Sequence, residues 1–148
     1  TASVLIIIVS AALLVYWFRY TCLLILRTRS GKDFSAGFAA ANDLAYVAVR
    51  ESTSAGTSGQ SLSALEKSLE RDYRLLTYLL HSTAGAQVAG VTIEQRLLMF
   101  DYRLMQLVLR VTRRLWPLKA REAVLEMTEV LRHLANDLGE RASAASNA

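Results

Sequence analysis

Few residues in this sequence are equipped for chemistry. His81 and His133 are its two histidines and Cys22 its one cysteine. His81 precedes Gly85 by four residues in HSTAGA. One helical turn separates such positions, so the glycine would leave the imidazole open to an approaching protein. No lysine stands beside it, position 84 being alanine, and the helix is expected to end near His81. Glu129 and His133 lie four apart, with Glu122 and Glu126 on the same face. A di-iron site needs such pairs on two helices, all projecting inward, and no second helix offers one. A single cysteine excludes an internal disulfide and any cysteine-built metal site. No serine–histidine–acid set, phosphate-cradling glycine loop or dinucleotide fingerprint is present. The expectation is a non-enzymatic protein with no catalytic residue, no metal site and no cofactor.

Charge patterning is more informative. On a helical wheel Arg96, Arg103, Arg110 and Arg114 fall in one narrow sector, a line of guanidinium groups about 27 Å long, roughly a quarter-turn from an apolar stripe. Glu122, Glu126, Glu129 and Asp137 form an acidic sector on the following helix, opposite its leucines and expected to face water. The arginine row is the candidate partner-binding surface, for lipid headgroups, an acidic protein or another copy of the chain. Nucleic acid is not expected. The net charge is only +4, the row has no interleaved aromatics, and acids lie nearby.

Helices must position these groups. Phe34, Phe38, Ala41, Ala45 and Val49 repeat at helical spacing, which predicts a helix over about residues 33–50, followed by a linker, STSAGTSGQ, at 52–60. Ser63 and Glu66 suggest a capping box for a helix ending near His81, with Leu62, Leu65, Leu69, Leu76 and Leu80 as its stripe. TAGAQVAGV breaks that pattern. Thr92 and Gln95 open the next helix, to about Arg114, with Ile93, Leu97, Leu104, Val108, Val111 and Leu115 as the expected core stripe. Trp116-Pro117 interrupts, since proline suits a first turn. A last helix over about 118–138 carries Val124, Met127, Leu131, Leu134 and Leu138, with Gly139 as C-cap and residues 140–148 as a loose tail. DYRLL at 72–76 is echoed by DYRLM at 101–105; duplication and shared heptad composition both produce such an echo. Asp72 and Asp101 are each expected to meet a partner side chain.

The N-terminal stretch differs from all this. Residues 3–18 read SVLIIIVSAALLVYWF without a charge, and as a helix they approach the thickness of a bilayer core. Tyr16, Trp17, Phe18 and Tyr20 sit where amphipathic rings favour the headgroup zone, and Arg19 can snorkel to phosphates. No basic leader precedes the run and no small-x-small site closes it, so an uncleaved anchor is expected rather than a signal peptide. CLLIL at 22–26 extends the helix at or beyond the interface, with Cys22 an inert small apolar residue.

The reading is therefore all-α: a single N-terminal transmembrane helix, then a small antiparallel bundle of three to four helices. Its parts are an anchor and juxtamembrane helix at 1–32, an alanine- and phenylalanine-rich helix with linker at 33–60, a bundle at 61–139 and a tail at 140–148. The expected role is an accessory or scaffold subunit of a larger inner-membrane complex, with other subunits, its own copies or lipid as partners. The alternative is a membrane-tethered signalling module, either histidine-phosphotransfer-like or a dimerising receptor bundle. Arg19, Arg27, Arg29 and Lys32 all follow the apolar run before the first acid, Asp33, which places the N-terminus outside and the large domain in the cytoplasm. A C-terminal alkaline-phosphatase fusion is accordingly expected to be inactive; an active fusion reverses the topology.

Overall fold

The computed structural model describes residues 2–28, 33–56, 61–86 and 90–147, and among these it contains helices and no strand. Arg29, Lys32, the end of the linker (57–60) and the centre of the TAGAQVAGV break (87–89) lie outside the described residues. The chain divides into two compact units, residues 1–30 and 31–148.

The first unit is one helix, α1 (Ala2–Thr28), continuous through CLLIL. At 1.5 Å per residue it exceeds the roughly 30 Å of a bilayer core, and it is long and apolar enough to cross one. Trp17 and Tyr20 meet edge-on, with centroids 6.1 Å apart and planes at 81°. Thr21 turns its hydroxyl back to the Trp17 carbonyl at 2.9 Å, which satisfies that donor within the helix itself.

In the second unit the segment expected as one helix over 33–50 is two, α2 (Ser35–Ala41) and α3 (Tyr46–Ser54). Asn42 and Asp43 end α2. The Asn42 side-chain amide donates to the Phe38 carbonyl at 2.9 Å, and Asp43 takes a left-handed φ of 51°, a conformation that short polar side chains tolerate. The start of α3 has no cap of its own. It borrows one from α4 (Leu62–Ala86), where Asp72 accepts from the Tyr46 N–H at 2.8 Å. Asp72 thus meets a backbone group across the fold as well as the expected side chain, the Arg71 guanidinium at 3.6 Å. Ser61, not Ser63, accepts from a first-turn amide of α4, that of Ala64 at 3.3 Å, which frees Glu66 for another role. α5 (Ile93–Thr112) opens on the expected box, with both Thr92–Gln95 bonds formed.

α6 (Pro117–Ser146) starts at proline as expected. It packs against α2, α3, α4 and α5. Val124, Met127, Leu131, Leu134 and Leu138 are buried as the spacing predicted. The reverse face is covered too, which corrects the expectation of a solvated acidic sector. Only Glu122 of that sector is exposed. Glu129 bridges Arg50 of α3 at 2.8 Å and Arg132 at 2.9 Å, and Asp137 is buried and accepts from Gln95 at 3.1 Å. Nor does Gly139 end the helix: α6 runs on to Ser146. A Cβ at Gly139 would stand 2.8 Å from the Phe34 Cβ and 3.2 Å from its carbonyl oxygen. The glycine is there so that the segment leading into α2 can touch the helix.

Burial raises the Asp72 pKa above 3.8, with the Tyr46 and Ala45 amides pulling it partly back. A carboxyl whose folded pKa is raised adds stability below its unfolded pKa and loses it as pH climbs through the folded one. Asp72→Asn keeps an oxygen for the Tyr46 N–H. It is expected to match or exceed the parent's stability at neutral pH and to lose the parent's gain on acidification toward 3.8. Asp72→Ala removes the cap and is expected to cost about 1–2 kcal/mol. Urea unfolding at about pH 7 and again near pH 4 checks both.

Candidate functional site: the outward face of α5

The sequence of α5 is rich enough in leucine to support two stripes, and the structure buries the one that looked less apolar. Leu98, Tyr102, Met105 and Leu109 are the buried positions, together with Gln95 and Asp101. The expected core stripe is turned outward instead. Ile93 is 78% exposed, Val111 61% and Leu115 64%, while Leu97, Leu104 and Val108 are half-buried. Phe100 and Leu107, each 59% exposed, complete this outer stripe. The physical reason lies in what the buried side touches. Gln95 closes the N-terminal box and donates to Asp137 of α6, and Tyr102 stacks face to face on Tyr73 of α4, centroids 4.2 Å apart. Rotating the helix to bury the leucines would break both.

The arginine row is exposed along this outer stripe, as its spacing required. Arg96, Arg103 and Arg110 stand on α5; Arg114 follows in the turn at 113–115. Arg110 is held by Glu66 at 2.8 Å, with Arg113 at 3.9 Å from the same carboxylate. The stripe continues round the corner into α6, where Trp116 is 61% and Leu118 75% exposed.

α4 provides an internal comparison. When the two helices are aligned on their DYRL segments, positions 66–83 and 95–112 have the same burial class throughout. The two segments meet where Tyr73 and Tyr102 stack. The helices run in opposite directions, since Glu66 near the start of α4 reaches Arg110 near the end of α5. Yet the exposed positions that hold Phe100, Leu107 and Val111 on α5 hold Arg71, Tyr78 and Ser82 on α4. The fold evidently accepts solvated side chains there. Phe100 and Val111 thus stand where α4 has Arg71 and Ser82, and this contrast was legible in the sequence once the two helices were aligned.

The other candidates are separate from this face. His81 lies within α4, not at its end, exposed, with Nδ1 2.7 Å from the Thr77 carbonyl. His133 is buried within α6, so the Glu129–His133 face does not look to solvent. Among the described residues no three His, Cys, Asp or Glu side chains converge as metal ligands would. Tyr16, Trp17, Phe18, Arg19 and Tyr20 fall within α1.

The two faces of α5 make opposite demands. Leu109→Ala is expected to destabilise by about 2–5 kcal/mol, as buried leucines do. Leu107→Ala, already in water, is expected to change stability by less than about 0.5 kcal/mol. Equal costs in chemical unfolding would refute the orientation of the helix. In comparison with known proteins, the chain matches no family model, no curated sequence and no solved structure.

Proposed function

We propose that this protein is a membrane-anchored, non-enzymatic accessory or scaffold subunit of a larger membrane assembly. In this reading α1 spans the inner membrane with its N-terminus outside, and Tyr16, Trp17, Phe18, Arg19 and Tyr20 form its interfacial belt. The helical unit, a small antiparallel bundle, lies in the cytoplasm and acts by docking. The observation that carries the reading is the outer stripe of α5, exposed and apolar at Phe100 and Val111 where the aligned positions of α4 hold Arg71 and Ser82. Contiguous exposed apolar surface of that kind is the usual mark of a contact site. The arginines beside it add charge selectivity, because a guanidinium binds carboxylate or phosphate through two parallel bonds.

The test is extraction in mild detergent followed by native mass measurement. A variant with Arg96, Arg103 and Arg114 changed to Gln, sparing the Glu66-bound Arg110, is expected to keep its helix content and to lose associated components. The loss should be greatest at low salt, where exposed charges are least screened. Phe100→Ser with Leu107→Ser should weaken association at every ionic strength. Retention of all partners by both variants would leave the α5 face without a docking role.

A further inference from the structure

We infer that the outer face of α5 and the α5–α6 corner rest on the headgroup zone of an anionic bilayer. The inference rests on the reading of α1 as an anchor, and it names the partner of the face described above. Three features of the surface select this occupant. The first is composition: Phe100, Leu107 and Val111 form an apolar line with Arg96 and Arg103 beside it, the pairing of apolar and basic faces by which helices lie in a membrane interface. The second is shape. The apolar surface does not stop with the helix but turns the corner through Leu115, Trp116 and Leu118. A groove made for a single partner helix would not follow that bend, whereas a fluid surface can, and tryptophan is favoured at such interfaces. The third is tethering. With α1 in a bilayer, four residues (29–32) separate it from the first described residue of the second unit, so the headgroup surface is present at high effective concentration without a further binding partner.

A second copy of the chain fits less well. The stripe at 93, 97, 100, 104, 107 and 111 has the alternating spacing of a coiled-coil seam. The arginines, however, occupy one flank only. An antiparallel pair would set arginine rows against each other. A parallel pair would aim Arg96 at the position of Asp101, which is fully buried in its own fold. Neither arrangement offers the row an accessible acid, whereas anionic lipid phosphates do.

The experiment uses the full chain with Trp17→Phe, which leaves Trp116 as the only tryptophan. It is reconstituted into phosphatidylcholine vesicles with or without roughly one-third phosphatidylglycerol, part of the lipid carrying brominated chains that quench indole on contact. Trp116 emission is expected to shift to the blue and fall by about twofold or more in the anionic vesicles. Most of the emission should return on changing Arg96, Arg103 and Arg114 to Gln, or at about 0.5 M salt. A Trp116→Phe, Trp17→Phe chain supplies the background. Unquenched Trp116 in a chain that resists carbonate washing overturns this inference and leaves the anchor standing. A chain that carbonate strips from the vesicles overturns the anchor and the inference together. Equal quenching in uncharged vesicles overturns the role of the arginines. A blue-shifted but unquenched Trp116, with cross-linked dimers, assigns the face to a second copy.

Discussion

The second unit depends on burying α6 from nearly every side. A surface helix needs one apolar stripe, but α6 packs against all four of α2, α3, α4 and α5. Polar groups on its inner turns then gain from partners inside the protein, because burying one unbonded costs a few kcal/mol. The reverse face answers this with short connections. Asn136 accepts from the Phe34 amide at 2.7 Å, Asp137 from Gln95, and Glu129 joins Arg50 to Arg132. Small residues supply the remaining condition. Ala120, Ala123 and Ala135 are buried on α6, and Gly139 admits the Phe34 backbone where any Cβ would collide.

The smaller helices follow from that arrangement. α2 and α3 are too short to be stable alone, since isolated helices of fewer than about 12 residues are marginal in water. They persist because α6 offers a surface and because their ends are bonded from elsewhere. Asp33 accepts from the Ser35 hydroxyl and from its N–H, the latter at 3.0 Å, where α2 begins, and its pKa is lowered by those bonds to Ser35. Asp72 does the same service for α3 from another helix. The hydroxyl of Tyr46 reaches the Ser35 carbonyl at 3.2 Å and ties α3 back to α2. Cap and packing are therefore coupled, and losing α4 would free the start of α3.

Much of this was readable from spacing, and the misreadings share a cause. The all-helical class, the Thr92–Gln95 box, the Trp116-Pro117 break and the leucine stripe of α6 are local properties of the chain. What spacing does not encode is how many sides of a helix are covered. Glu129 and Asp137 look like a solvated face until Arg50 of α3 and Gln95 of α5 are brought to it. Gly139 looks like a helix terminator until Phe34 is brought beside it, since glycine serves close approach as readily as it serves a left-handed turn. On α5 the choice between two stripes turned on Tyr102, Gln95 and Asp101, whose polar atoms argued against burial in isolation. The DYRL repeat held the missing information. Tyr73 and Tyr102 stack as a pair, so aligning the two segments identifies the buried stripe of both helices at once.

The energetics of the outer α5 face explain why tethering matters to it. Covering a side chain such as Phe100 or Leu107, more than half exposed, gains on the order of 1 kcal/mol at roughly 25 cal/mol per Å². A handful of such residues yields about 5 kcal/mol, close to the lower estimates of what association itself costs in lost freedom. A free domain would bind weakly through this surface. If α1 holds the chain at a bilayer, as proposed, the same surface avoids most of that loss, because the second contact becomes intramolecular. Weak free binding also limits aggregation by a face that water leaves uncovered, and the arginines beside it oppose antiparallel pairing between copies. On this reading the apolar stripe, its basic flank and the N-terminal helix form one device, and separating α1 from the rest would cost more binding than any single substitution on α5.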